Sequence, residues 1–240
     1  MTDLVPTGER TLPSVPSENY WYRRHVAAYR FARRHARGRV LDAGCGEGYG
    51  TRLLGHAPVV GLDLDAAVAA RAARRYPAAR FLAADLCRLS VRPSSVDTIV
   101  ALQVLEHLWC PDEFLAACRE ALRPGGTLVV STPNRDTFPA GRNPSHVHEY
   151  DRRELEALLR RHFDAVTVVA TTHGPLLRLL DRFLGEPVQH RLVRRPYEQQ
   201  PAWLRAVLRT VRSHDLGITR DAERGLDLVA VGTRYDRERG

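Results

Sequence analysis

The sequence predicts an α/β protein: a doubly wound, seven-stranded, mostly parallel sheet with a helical cap inserted before the last strand. Three observations predict it. Short apolar runs alternate with longer amphipathic segments, the pattern of parallel strands joined by helices that cover both faces. The first three runs lead into acids, Asp42, Asp63 and Asp85. The first is followed by glycine at every second position, in Asp42-Ala43-Gly44-Cys45-Gly46-Glu47-Gly48. That reads as a buried strand stopping at a tight turn that opens a helix. Glycine has no Cβ, so the turn can use φ > 0 and a ligand can lie against its backbone. Ligands of such sheets bind at the carboxyl ends of the strands, where strand order reverses.

The elements follow in order. Residues 1–16 carry three prolines and little periodicity and read as an arm. Glu18–Arg37 is periodic, with Ser17 as N-cap and Gly38 as stop. Val40–Ala43, Val59–Asp63, Arg80–Asp85, Val96–Leu102, Thr127–Thr132 and Ala165–Ala170 read as strands, and Leu226–Thr233 as the seventh. Ala66–Arg75, Asp112–Leu122 and Asp151–His162 are the helices between them, the last opened by Asp151 and Glu154 as a capping box. Thr171–Arg224 is too long for a plain loop in a compact domain. Leu176–Leu184 and Trp203–Ser213 within it look helical, and the insertion reads as a cap over the site. The divisions are therefore 1–38, an arm and helix covering the site; 39–170, the ligand-binding core; 171–224, the cap; and 225–240, the last strand and tail.

With 240 residues the chain suits one domain with a sizeable core. Its net charge of +8 does not imply nucleic acid: every basic residue is Arg, as codon bias produces, and no block of like charge occurs. Cys45, Cys87, Cys110 and Cys118 form no Cys-x-x-Cys pair and read as reduced, which implies a reducing compartment. Residues 1–10 hold no apolar signal core, and no run approaches the ~18–20 apolar residues of a membrane span. The expectation is a cytoplasmic protein, a monomer or homodimer, with no nucleic-acid or membrane partner.

The glycine spacing excludes two common nucleotide motifs. A dinucleotide turn needs a third glycine where Tyr49 or Thr51 stands, and no Gly-Lys-Ser/Thr follows for a P-loop. Asp63 lies 21 residues after Asp42, the spacing at which a carboxylate accepts from ribose hydroxyls.

The glycine run resembles the first motif of the class I S-adenosylmethionine (SAM) dependent methyltransferases. Val96-Asp97-Thr98-Ile99-Val100, Gln103-Val104-Leu105-Glu106-His107-Leu108 and Leu122–Leu128 resemble later motifs of that superfamily, so the likeness covers about 40–170. It implies the Rossmann-like methyltransferase fold. It also implies a SAM site, with S-adenosylhomocysteine as product, built from Asp42, Gly44, Cys45, Gly46, Gly48, Asp63, Leu64, Asp85, Leu86 and Gln103. The flanks resemble a narrower bacterial group associated with mycobacterial-type methylated polysaccharides. These flanks are Gly8-Glu9-Arg10-Thr11, Glu18–His25, Ser131–Asn134, Asn143–Tyr150, His173-Gly174-Pro175 and Leu226-Asp227-Leu228. That group implies O-methylation of a sugar or oligosaccharide hydroxyl. The alternatives are an O-methyltransferase of another small molecule, such as a quinone or secondary metabolite, which would share every cofactor residue, and, behind it, a nucleic-acid methyltransferase. Against the latter, Gln103-Val104-Leu105 stands where amino-methylating enzymes of that kind carry Asp/Asn-Pro-Pro-Tyr/Phe. Ser145 and Tyr150 stand where Phe is expected or common.

An alcohol acceptor must lose a proton, for which a histidine is the usual base. His146 and His148 follow the fifth strand, and His107 follows the fourth; these are the candidate catalytic residues, His146 foremost because Asn143-Pro144 forms a rigid turn before it. Arg10, Tyr20, Trp21, Glu149, Tyr150 and His173 are candidate acceptor-binding residues. His146-x-His148-Glu149 could also bind a divalent metal, but alternate residues of an extended segment face opposite sides, which argues against chelation by both histidines; a metal is possible here but not favoured.

Overall fold

The computed structural model describes residues 11–13, 15–55, 58–138 and 143–235. The glycine turn sits where strand order reverses. Strand β1 (Val40–Ala43) lies between β2 (Val59–Asp63) and β4 (Val96–Leu102), with β3 (Arg80–Ala83) outside β2. β5 (Leu122–Pro133) follows β4, and all five are parallel. The sheet then changes character. β8 (Asp227–Thr233) inserts antiparallel between β5 and β6 (Ala165–His173), and β7 (Leu216–Thr219) adds antiparallel to β6 at the edge. The expected seven strands are therefore eight, in a mixed sheet of order β3-β2-β1-β4-β5-β8-β6-β7. β7 is a four-residue run containing Gly217, too short and too irregular to register as a pattern.

Helix boundaries follow local chemistry. α1 (Asn19–Arg33) enters from a 3-10 turn over Pro16–Glu18, so Ser17 lies inside that turn and Glu18, not Ser17, stands at the N-cap. α2 (Tyr49–Leu53) opens at Gly48, which is left-handed with φ 78. α3 (Ala66–Arg75) is capped by Asp65, whose carboxylate accepts from the Ala67 and Val68 amides. α4 (Pro111–Ala121) has proline in its first turn. The capping box of Asp151 and Glu154 opens α5 (Arg152–Arg160), as its sequence signature indicates.

Strand alternation divides the core. Ile99 and Ala101 of β4 pack with α4 and α5 residues such as Phe114, Leu115, Leu155 and Leu159. Val100 and Leu102 pack on the other face with Ala28, Tyr29 and Ala32 of α1. Cys87 and Cys110, expected to be reduced, form a disulfide with Cα atoms 5.7 Å apart. The 3-10 turn at Leu86–Arg88 packs against α4 and brings together two cysteines that sequence separation alone kept apart. Cys45 and Cys118 are free and buried.

The insertion contains α6 (Pro175–Leu184), α7 (Val188–Arg194), α8 (Ala202–Thr210) and β7. Leu177, Val188, Leu192, Leu204 and Leu208 form a second core with Tyr20 and Ala27 of α1. A buried ion pair locks this arrangement: Arg24 donates to Asp227 (Nε to Oδ2, 3.2 Å) and to Gln189 (3.0 Å). Asp227 also accepts from Thr171 at 2.9 Å. Among the described residues, no helix is long and apolar enough to cross a membrane.

Candidate active site

A cavity of about 400 Å³ opens at the carboxyl ends of β1, β2 and β4. Gly44, Cys45, Gly46 and Glu47 form its floor. At Gly46, φ is +52 and an added Cβ would meet nothing within 4 Å, so this backbone borders open cavity. Gly44 is also left-handed (φ +79), and a Cβ there would run into Val104. The Asp63 carboxylate reaches back to this turn, accepting from the Gly46 amide at 3.0 Å and the Asp65 amide at 3.0 Å. It thus fixes the turn and faces the cavity at once.

Asp85 lies just beyond β3 and caps the turn at Leu86–Arg88, its carboxylate accepting from the Cys87 amide at 2.9 Å. Asp85, Leu86 and Cys87 form one wall. Leu64 and Trp109, 73% and 74% exposed, flank the cavity as apolar surfaces. Two such side chains left in solvent beside a carboxylate fit a flat heterocycle carrying an amine. Gln103 also lines the cavity at the non-glycine φ of 56, held by hydrogen bonds to Ser131 from its amide (2.8 Å, to the carbonyl) and its side chain (3.1 Å, to Oγ). Such a backbone is sparsely populated outside glycine and persists where surroundings enforce it.

Two of the expected cofactor residues lie elsewhere. Asp42 is wholly buried behind the turn, accepting from Thr51 at 2.6 Å and Tyr29 at 3.2 Å. Burial raises its carboxyl to about 7, the Thr51 and Tyr29 hydroxyls opposing. Gly48 is likewise off the wall; a Cβ there would meet Ala72 and Phe81. Both residues shape the turn from beneath.

Helix α1 divides by face. His25 and Tyr29 line the cavity, with Tyr49 opposite; His25 Nδ1 and the Tyr49 hydroxyl share a 2.8 Å hydrogen bond. Burial lowers the His25 pKa to about 4, so its ring is neutral near pH 7. His25, Tyr49 and Trp109 were not among the expected site residues. The i, i+3, i+7 spacing of Tyr22, His25 and Tyr29 was the available signal. Tyr20 and Trp21 point the other way. Tyr20 is buried and bonds His173 Nε2 at 2.7 Å, while His173 Nδ1 meets Asp181 at 2.5 Å. Trp21 packs against the second core. These residues, expected at the acceptor, do not line the cavity, nor does Tyr150, which packs in the main core. Arg10 lies outside the described residues. None of the described insertion residues lines the cavity; Leu177, Val188, Leu192, Leu204 and Leu208 of the insertion pack against α1.

The histidines sort by position. His107 lines the cavity, and its Nδ1 bonds the Ser145 carbonyl at 3.0 Å. His146 sits behind it, ring edge against ring at 5.0 Å, with Nδ1 3.0 Å from Glu149 Oε1. His148 is half exposed, 3.4 Å from Glu154, and off the cavity wall. The Val147 and His148 amides both donate to the Glu106 carbonyl, docking the loop onto the turn that carries His107. Glu106 itself is buried, and among the described residues no hydrogen bond reaches either carboxylate oxygen. Burial pushes its carboxyl up to about 8; its own backbone and the Thr132 hydroxyl pull the other way without a formed hydrogen bond.

The fold and cavity agree with what this chain resembles. A family model described as a methyltransferase domain matches residues 41–130. A Mycolicibacterium smegmatis protein described as a "probable S-adenosylmethionine-dependent methyltransferase" is 42% identical, over 96% of this chain and 95% of that one. A Mycobacterium tuberculosis protein with the same kind of description is 39% identical, over 96% of this chain and 90% of its own. The crystal structure of a SAM-dependent methyltransferase from Thermotoga maritima superposes with a TM-score of 0.62 at 17% identity, covering 90% of this chain and 93% of that one, and so shares the fold.

Proposed function

The chain belongs to the S-adenosylmethionine-dependent methyltransferases, and we propose that its acceptor is a hydroxyl of a sugar or oligosaccharide. The residues present fit the cofactor: an open glycine floor at Gly46, the Asp63 carboxylate at the turn, and Asp85 between exposed Leu64 and Trp109. Asp63 would hold the ribose, Asp85 and its apolar neighbours the adenine, and Gly44 and Gln103 the methionine end. Bound SAM supplies an electrophilic methyl group on a sulfonium.

The chain's own task is then to align the acceptor and take charge of its proton. The observation that carries the O-acceptor reading is the cluster at the cavity edge: His107 on the wall, His146 and Glu149 behind it, and buried Glu106 beneath. An alcohol needs such a group to lose its proton. Thr11, His25, Tyr49 and Ser145 supply hydrogen-bonding groups suited to a polyhydroxylated acceptor. The likeness of the flanking segments to sugar O-methylating enzymes supports the same class.

The test is transfer of labelled methyl to a panel of manno- and gluco-oligosaccharides, beside phenolic, carboxylate and amine acceptors. Alkali-stable label on a sugar, as a methyl ether, is the expected result. His107→Ala and His146→Ala should then lower kcat by roughly 10²–10⁴-fold with SAM affinity retained, and His148→Ala should not. Transfer to a non-sugar acceptor alone would overturn the reading.

A further inference from the structure

We propose that Glu106, His107 and His146 form a binding site for a transition-series divalent cation at the edge of the cofactor cavity. One ligand atom from each residue lies within 4.8 Å of the other two. Opposed ligands at about 2.1 Å from a metal are at most ~4.2 Å apart, so the trio needs to draw in by roughly half an ångström. The residues come from two segments that the fold locks together. Glu106 and His107 lie on the 3-10 turn after β4. His146 comes from the loop whose Val147 amide donates to the Glu106 carbonyl at 2.7 Å.

Two independent observations point to a ligand. The first is Glu106. Its carboxylate is 1% exposed and, among the described residues, takes no hydrogen bond on either oxygen, an orphan that a bound cation would satisfy. The second is the orientation of the histidines. His107 Nδ1 bonds a backbone carbonyl, Ser145 O, and His146 Nδ1 bonds a carboxylate, Glu149 Oε1, each at 3.0 Å. Both contacts call for a proton on Nδ1, which leaves the lone pair on Nε2. Metal-ligating histidines are fixed by these same outer partners. The expectation against a metal rested on His146 with His148. Those two do part: His148 turns to Glu154. The site instead replaces His148 with two residues from a distant turn.

The donor set selects the cation. Two imidazoles and one carboxylate suit Mn²⁺, Fe²⁺, Co²⁺ or Zn²⁺, whereas Mg²⁺ and Ca²⁺ prefer all-oxygen shells. Three protein ligands leave coordination positions open, as in catalytic sites. His107 and Ser145 line the cavity, so those positions face the acceptor. This deepens the O-methylation reading and rests on it: an acceptor hydroxyl on the cation becomes more acidic, its O–H bond breaks, and the proton passes to solvent water.

The test uses the full chain stripped with a chelator, then titrated calorimetrically with MnCl₂, ZnCl₂ or MgCl₂ alone. One saturable equivalent of Mn²⁺ or Zn²⁺ is expected, with much weaker Mg²⁺ binding and a rise in melting temperature on metal addition. Glu106→Gln and His146→Ala should each weaken binding at least tenfold. Glu149→Gln, which touches only the outer nitrogen of His146, should weaken it by about 10–100-fold. His148→Ala should bind as wild type. Circular dichroism identifies any variant that fails to fold, and the remaining variants then decide. No saturable binding by the wild type, or binding unaffected in the folded variants, overturns the site. Cation binding without sugar methylation would sink the acceptor reading alone. Full-rate sugar methylation under excess chelator would sink the metal site alone.

Discussion

Two glycines four residues apart should behave in opposite ways. At Gly46 an added Cβ meets no atom within 4 Å, whereas at Gly50 it would lie 1.9 Å from Cζ of Tyr29. Gly46→Ala meets a left-handed backbone, φ +52. That strain costs about 1–2 kcal/mol, partly offset by the lower entropy of the unfolded alanine chain, about 0.4–1 kcal/mol. The net loss of about 1 kcal/mol corresponds to about 2–4 °C in melting temperature for a chain of this size. The new methyl stands in the open cavity proposed to hold SAM, where overlap with the cofactor would cost about 1–3 kcal/mol, or roughly 5- to 150-fold in SAM affinity. Gly50→Ala presses on a buried ring that is itself tied to Asp42. It should lose about 1–3 kcal/mol of stability or more. The residual folded protein should keep more of its SAM affinity than Gly46→Ala, since the floor stays open even where the Tyr29 ring on the wall shifts. Calorimetric titration with SAM and urea unfolding of both variants separate the two effects. Unchanged SAM affinity in Gly46→Ala, or the same pattern in both variants, would refute the assignment of the floor.

Three further outcomes follow from buried contacts. Arg24→Ala leaves Asp227 buried without its cation and should destabilise by about 3–5 kcal/mol in urea unfolding; a loss under 1 kcal/mol would show the pair is dispensable. The Cys87–Cys110 bridge closes a loop of 23 residues in sequence separation, so Cys110→Ser should lose about 3.4 kcal/mol if chain entropy governs, and equal stability of the two proteins under oxidising conditions would contradict the bridge. Asp42 has its carboxyl raised to about 7 from an ordinary 3.8. The folded protein therefore keeps a proton that the unfolded chain has lost between those values. Its contribution is full at low pH and is lost as pH rises to about 7. Relative to Asp42→Asn, wild-type stability should fall by about 3 kcal/mol from pH 5 to pH 8, and parallel curves would disprove the shift.

The sequence by itself determined the parallel half of the sheet and the glycine floor of the cavity. Gly44, Gly46, Asp63 and Asp85 could be read because a strand, a turn and a helix N-terminus are local events, and their spacing is written in consecutive residues. The antiparallel half was not legible. Leu226–Thr233 carries the alternation of any strand, and nothing local states that it enters between β5 and β6 or that Leu216–Thr219 pairs at the edge. The face of α1 was equally undetermined. Tyr20, Trp21, His25 and Tyr29 share one helix, and only the docking of the insertion turned Tyr20 inward and left His25 in the cavity. The same holds for His173, which the fold spent on Tyr20 and Asp181. It holds for Cys87 and Cys110, brought together by the packing of α4. Glu106 is the sharpest case. In the sequence it is a polar residue beside a histidine. Burial removes its water, and a loop about 40 residues away sets His146 beside it. Burial and convergence of distant segments are properties of the folded chain, because they depend on which surfaces exclude water once every element has docked.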